Sequence, residues 1–250
     1  MASTKPFYRR YFVPLLIVLV FVFVGWRGLH TASPMNAGNA SSNNQQQAQA
    51  KTKATALAKV VRVGIQAGHW KVEDAPSEMP SLVYEGGASV SGVDEWRVNL
   101  DIANLVADIL RGKGITVDVL PATIPEGYHA DAFIAIHQDG NDDTSVSGFK
   151  VASSEYDTTG KADTLKADVI DLYSKVTSLV LDPDQSVSDD MTGYYAFNFT
   201  KYTHAIDSST PGIIVECGFL TNSQDRYLLT HSTNTVAEGL AEGIEKFLGL

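Results

Sequence analysis

Four polar side chains in this 250-residue sequence stand at the ends of apolar runs or at the start of an amphipathic one. His69 follows the β-branched run 60–66 by way of Ala67 and Gly68, His137 follows the apolar run 132–136, and Glu216 follows Ile213, Ile214 and Val215. Glu95 opens an amphipathic stretch shortly after the first of these runs. A carboxylate at the end of a strand covered on both faces costs several kcal/mol unless it is paired, metal-bound or open to a cleft. Each of the four has an ordinary explanation when taken alone. A strand-end acid can be solvated, a single histidine can be a hydrogen-bonded structural residue, and an acid in a first helical turn is favoured by the helix dipole. Ligands of open parallel sheets, however, gather at the carboxyl ends of strands, and three of the four residues are delivered there. Two histidines and one carboxylate are the ligand set of a catalytic zinc with an open fourth position. A second carboxylate nearby can take the proton of an attacking water, which points to hydrolysis at a carbonyl.

The elements that must position these groups can be read from periodicity. Strands are expected over 60–66, 115–120, 132–136 and 148–153 and in the run ending at Glu216. Asp94 is a plausible N-cap for a helix from Glu95 to about Leu110, with Val98, Ile102, Leu105, Val106 and Ile109 on its apolar side and Gly112 and Gly114 ending it. A second helix is expected over 161–181, with Leu165, Val169, Leu172, Val176 and Leu179 inward and Asp182-Pro183 as its stop. Asn222 to Asp225 has capping-box character and should start a short helix through Leu229. A closing helix then carries Val236, Leu240, Ile244, Phe247 and Leu248. Strands alternating with helices predict an α/β domain with a mostly parallel twisted sheet flanked by helices. Residues 71–93 read as a long loop, and ordered loops of that length tend to be functional. The aromatic run Tyr194, Tyr195, Phe197, Phe199 and Tyr202 could line a groove, although packing on the sheet is the commoner outcome. Cys217, the only cysteine, should point away from Glu216 as a small buried hydrophobe.

Composition narrows the function classes. The formal net charge is −10 and the basic residues of the globular part do not cluster, so nucleic acid is not an expected partner. A single cysteine excludes an intrachain disulfide and a cysteine metal cage. Asp139, Asp142 and Asp143 lack the twelve-residue calcium-loop pattern and its closing glutamate. At the N-terminus, a basic tail over 1–10 with Lys5, Arg9 and Arg10 precedes an apolar run from Phe12 to Trp26, closed by Arg27. No small-x-small cleavage site follows directly, so residues 11–28 are expected to be an uncleaved transmembrane signal anchor with its N-terminus in the cytoplasm. Residues 29–58 are rich in Ser, Thr, Asn, Gln, Ala and Gly and are expected to be a disordered linker. A flexible tether of about 26 residues spans roughly 30 Å, enough to lift a domain off a membrane surface. The expected layout is therefore a single-pass protein of the cell membrane with its folded domain, 59–250, on the extracytoplasmic side.

The four site residues also stand in local sequences that resemble the zinc-dependent N-acetylmuramoyl-L-alanine amidases. These enzymes cleave peptidoglycan between the lactyl group of muramic acid and the first alanine of the stem peptide. Gly68-His69 resembles the first metal histidine of that family. Glu95 with Asn99-Leu100 resembles its glutamate ligand and the helix behind it, and Phe133-Ile-Ala-Ile-His137 resembles its second histidine. Val215-Glu216-Cys-Gly-Phe219-Leu-Thr-Asn222, with Asp225 and Leu228 beyond, is similar to the stretch that carries the catalytic glutamate. The resemblance implies an exopeptidase-like α/β fold and one zinc per chain held by His69, Glu95 and His137. It also implies Glu216 as general base, peptidoglycan as substrate and a role for an activating protein partner. There are departures. The family usually has Asp-Pro-Gly-His-Gly where this chain has Gln66-Ala-Gly-His-Trp70, which puts in question the group that orients a metal histidine. The arginine-bearing segment between the second and third strands is shortened to 121–130, and the usual Asn after the second histidine is Asp139. His30, His129, His204 and His231 lack strand-end placement and receive no metal role. Two alternatives stay open: a zinc carboxypeptidase-like enzyme, for which Arg97 and Arg226 are the basic residues nearest the site in sequence, and an inactive or regulated wall-binding module.

Overall fold

The structure is a computed structural model that describes residues 60–183 and 186–250. The basic tail, the apolar anchor and the linker expected over 1–58 lie outside the described residues, as does His30. Among the described residues no helix is long and apolar enough to cross a membrane.

Five strands form the main sheet: β1 (Arg62–Ala67), β4 (Thr116–Leu120), β5 (Ala132–Asp139), β6 (Lys150–Ser153) and β7 (Gly212–Phe219). Their spatial order is β4-β1-β5-β7-β6. The first four run parallel, and β6 pairs antiparallel with β7 at the edge, so the expected mostly parallel sheet is present. The other two strands, β2 (Ser89–Val90) and β3 (Val93–Asp94), make a small hairpin inside the segment read from sequence as plain loop. Residues 71–93 also contain two single 3-10 turns, at Val72–Asp74 and Leu82–Tyr84, so this segment has more internal structure than its composition suggests.

Strand parity divides the sheet into two unlike faces. Val63, Ile65, Ile134, Ile136, Ile213, Val215 and Cys217 point to one side and are buried. Three amphipathic helices cover that side: α1 (Glu95–Gly112), α2 (Ala162–Thr177) and α5 (Thr233–Leu248). They supply Ile102, Val106, Leu110, Leu165, Val169, Leu240 and Ile244 to one continuous core. Each fully buried aliphatic side chain of this kind stabilises the fold by about 1.5–3 kcal/mol relative to exposure. Phe133, Ala135, Ala152 and Ile214 point to the other side, where connecting segments bring Ile124, Tyr128, Tyr194, Phe197 and Ile206 over them.

Two short helices complete the chain, α3 (Asp189–Thr192) and α4 (Ser223–His231). Asn222 caps α4 as expected, its side chain accepting from the Gln224 and Asp225 amides. Three other boundaries differ from the sequence reading. Asp94 occupies the N-cap position of α1 without a capping bond; its carboxylate instead accepts from Ser89 Oγ at 2.9 Å across the hairpin. The helix α2 ends at Thr177 because Ser178 takes a left-handed conformation, φ 62°, four residues before the expected stop at Asp182. Leu179 therefore packs on the core from beyond the helix. Finally, His137 and Glu216 lie inside their strands rather than just past them, because pairing continues to Asp139 and Phe219 through an irregularity after His137.

Candidate metal centre

His69, Glu95 and His137 come together although each arises from a different element. β1 ends at Ala67, and the chain turns so tightly that His69 sits at φ 62°, a left-handed conformation uncommon for a residue with a side chain and concentrated at functional sites. Glu95 is the first residue of α1 and is buried, and His137 is buried in β5. Glu95 Oε1 lies 3.2 Å from His69 Nε2 and 3.4 Å from His137 Nδ1. The two imidazoles meet edge to face with ring centroids 4.7 Å apart. Among the described residues this is the group of His, Cys, Asp and Glu side chains that could hold a metal ion, with its donor atoms within 4.8 Å of one another.

The donor set can be tested against a particular ion. A tetrahedron with zinc–ligand bonds near 2.0–2.1 Å has edges of about 3.3 Å. The 3.2 and 3.4 Å separations match the two edges that Glu95 shares with the histidines, and the three donor atoms together lie within 4.8 Å of one another. Three buried or half-buried donors with one open side also fit a catalytic rather than a closed structural site.

Second partners hold each donor. His69 Nδ1 lies 2.6 Å from the Glu85 carbonyl, and Glu95 Oε2 accepts from the Ala88 amide at 2.9 Å while the Glu95 amide donates back to the Ala88 carbonyl. The 71–93 segment thus supports two of the three donors through its backbone. Gly87, between these contacts, has φ +77°, and a Cβ there would stand 2.9 Å from both the Glu95 carboxylate and the His69 ring. On the opposite side Asn99, one turn along α1 from Glu95, donates to the Gly68 carbonyl at 3.0 Å and accepts from Gln138 Nε2 at 3.2 Å. Gly68 itself leaves room for the His137 ring, since a Cβ would lie 2.4 Å from its edge.

These contacts set the charge states. Burial pushes the Glu95 carboxyl upward, but the adjacent His137 and His69 imidazoles outweigh it and hold the group well below the ordinary range. Burial lowers His137, and for His69 the same tendency is overcome by the Glu95 hydrogen bond and charge, so its value rises. Glu216 behaves oppositely to Glu95. Burial, then the charges of Glu95 and Asp139, raise its carboxyl well above the ordinary value, with Lys150 opposing. Its Oε2 atom is buried and has no hydrogen-bond partner among the described residues.

Glu216 is the register partner of His137 across β5 and β7, so both side chains leave the same face of the sheet. They open into one cavity of about 550 Å³, lined also by His69, Tyr194, Tyr195 and Ile214, with Glu85, Ser188, Asp190, Met191 and Gly193 completing its wall. No Lys or Arg is among its described lining residues. Arg97 pairs with Asp94 at the surface, and Arg226 donates to the Leu220 carbonyl, so neither is held at the cavity. His129 and His204 pair with Asp207 and Glu78, and His231 stacks on Tyr227. Cys217 is buried on the helix side, opposite Glu216, as strand parity requires.

Sequence reasoning brought the four principal residues together and missed their supports. Asn99 had a usable signal, its spacing of four residues from Glu95 on one helix. Tyr194 was read only as part of an aromatic run that could line a groove or pack on the sheet, and the run does both: Phe197 packs under the sheet, and Tyr194 and Tyr195 line the cavity.

The family model described as N-acetylmuramoyl-L-alanine amidase matches residues 63–246. The N-acetylmuramoyl-L-alanine amidase LytC of Bacillus subtilis (strain 168) is 30% identical over an alignment 153 residues long that covers 56% of this chain and 28% of that relative. The chain therefore spans little more than a quarter of the length of the curated relative it matches. Among solved structures, the N-acetylmuramyl-L-alanine amidase Ami1 of Mycobacterium smegmatis aligns with a TM-score of 0.57 at 19% identity, covering 76% of this chain and 97% of that one. The CwlD amidase of Clostridioides difficile, solved in complex with the GerS lipoprotein, aligns with a TM-score of 0.54 at 17% identity, covering 76% and 98%. At such identities the structural likeness shows a shared fold. With most of the described residues matched by the family model, this chain belongs to the N-acetylmuramoyl-L-alanine amidase family.

Proposed function

We propose that the chain is a zinc-dependent hydrolase that cleaves the amide between N-acetylmuramic acid and L-alanine in peptidoglycan. The observation that carries this reading is that a carboxyl with a buried, unpartnered oxygen shares one cavity with the two histidines of a three-donor cluster that could hold a metal ion. His69, Glu95 and His137 would hold one zinc ion per chain. Such an ion lowers the pKa of a water and polarises a carbonyl oxygen. Glu216 faces the same space with its proton affinity raised by burial, which suits a group that takes a proton from water and gives it to the leaving amine. Its register pairing with His137 fixes the distance between base and metal ligand through two hydrogen-bonded strands rather than through a loop.

The cavity wall favours this reading over a carboxypeptidase. An enzyme that removes terminal amino acids needs a cation for the terminal carboxylate, and the described lining offers Glu85 and Asp190 instead. The basic flank and apolar run at the N-terminus support a membrane-anchored protein with this domain outside the cell membrane, its tether reaching the wall. An activating protein partner fits the same picture. The 71–93 segment supports both His69 and Glu95 through backbone contacts, so a partner that shifted it would alter the metal site. The test of the activity is product identity. The full chain with zinc should release stem peptides bearing a free L-alanine amine and leave glycan strands intact. Release of single C-terminal amino acids would reject the amidase reading in favour of the peptidase.

A further inference from the structure

The strand that leads to His69 carries a fully buried amide, Gln66, on the face that also bears His137 and Glu216. Gln66 Nε2 donates to the Ala122 carbonyl at 2.7 Å and approaches Tyr195 Oη at 3.3 Å. Tyr195 Oη donates to the same carbonyl at 2.8 Å. Tyr194 Oη donates to Tyr195 Oη at 3.1 Å, and His137 Nε2 lies 2.9 Å from Tyr194 Oη. Four residues from three parts of the chain thus form one buried line of hydrogen bonds that ends on a backbone carbonyl.

A carbonyl can only accept, and with Tyr195 donating to Ala122 the direction of every bond behind it follows. Tyr195 spends its single O–H on Ala122 and must accept from Tyr194. Tyr194 spends its O–H on Tyr195 and must accept from His137. The nitrogen facing Tyr194, Nε2, therefore carries the ring proton, and the lone pair of Nδ1 is left for the side where Glu95 and His69 converge. Resting on the metal-site reading above, we infer that the Ala122 carbonyl, acting through Tyr195 and Tyr194, selects the Nε2–H tautomer of His137 and aims its Nδ1 at the metal. Tyr194 and Tyr195 are then positioning residues. Gln66 is the anchor that holds Tyr195 and Ala122 together, using both of its N–H groups.

Ligating histidines ordinarily pass their second N–H to a carboxylate, a carbonyl or water, which sets ring orientation and basicity. Here two phenols carry that role to a distant carbonyl. Packing holds the same geometry: Tyr194 meets the His137 ring edge on at 5.3 Å, with Gly68 against the edge of that ring. The line also accounts for Gln66 at the place where the family resemblance leads one to expect an aspartate.

The test uses the full chain loaded with zinc and reads the imidazoles by proton–nitrogen correlation spectra, beside zinc affinity from competition with a chelator. The expected result is a proton on His137 Nε2, shifted or lost in Tyr194→Phe, a substitution that keeps the ring and deletes the hydroxyl. Loss of such a partner typically weakens metal binding about 10- to 100-fold, and that drop is expected for Tyr194→Phe. Tyr195→Phe, which leaves Tyr194 without its acceptor, should weaken binding by less. A proton on His137 Nδ1, or unchanged zinc affinity in folded Tyr194→Phe, would overturn the inference. Should Tyr194→Phe not fold, the tautomer in the unsubstituted chain and the affinity of Tyr195→Phe decide the same question. None of these readouts involves peptidoglycan, so a wrong substrate and a wrong tautomer give different results.

Discussion

On the helix-covered face of the sheet the inward residues of β1, β5 and β7 are apolar, whereas on the other face the same three strands carry Gln66, His137 and Glu216. The backbone is shared and the register is shared, so the difference lies in what covers each side. Regular helices bury one face and ask only for volume and apolarity. Connecting segments cover the other and bring backbone amides, carbonyls and phenols within reach of the strand side chains. A sheet of this kind separates stability from chemistry by the alternation of its strands, and substitutions on the two faces should fail in different ways.

The sharpest contrast comes from the open face. Glu216→Gln keeps size and removes the titrating group, and general-base loss of this kind lowers turnover by about two to four orders of magnitude. Zinc content and thermal unfolding should stay close to those of the unsubstituted chain, which metal analysis and calorimetry would check. Near-native turnover would make Glu216 a structural residue and erase the contrast. On the helix face the opposite pattern is expected. Leu240, fully packed between α5 and the sheet, should cost about 2–5 kcal/mol of stability when cut to alanine. In denaturant unfolding that loss should appear while the folded fraction retains its turnover.

The smallest expected effect tests whether the covering segments are tied down independently of the candidate metal site. Glu78, in the 71–93 segment, accepts from the Thr203 amide at 3.0 Å and the His204 amide at 2.8 Å, and its side chain also meets His204 Nδ1 at 2.7 Å. The backbone bonds from Thr203 and His204 lower its carboxyl from 4.5 to about 2. A folded-state value below the unfolded one means that the contact stabilises the fold above pH 4.5 and loses that contribution as pH falls towards about 2. Unfolding measured across that window should show a pH-dependent step that is absent from Glu78→Gln.

The same division explains how much was legible in the sequence. The helix face follows from periodicity: Val98, Ile102 and Val106, or Val236, Leu240 and Ile244, announce their burial by spacing alone. The principal site residues were legible for the converse reason, since a histidine or glutamate at the end of an apolar run breaks the pattern. What supports them was not. The Glu85 carbonyl and the Ala88 amide are backbone groups, and every residue has them. Their contribution depends on a left-handed Gly87 and a hairpin at Ser89–Asp94 that the polar composition of 71–93 conceals. Tyr194 and Tyr195 are adjacent residues of one aromatic run, and only the fold shows that both hydroxyls face the His137 side. The early end of α2 at Ser178 was likewise hidden, because no glycine or proline marks it.

The central claim, a zinc site built from His69, Glu95 and His137, is tested most directly by elemental analysis of the purified full chain and its single alanine variants. The account predicts one tightly bound zinc in the unsubstituted chain and its loss in each of the three variants, with Glu216→Gln retaining the metal. Stoichiometric zinc in all three alanine variants would contradict it.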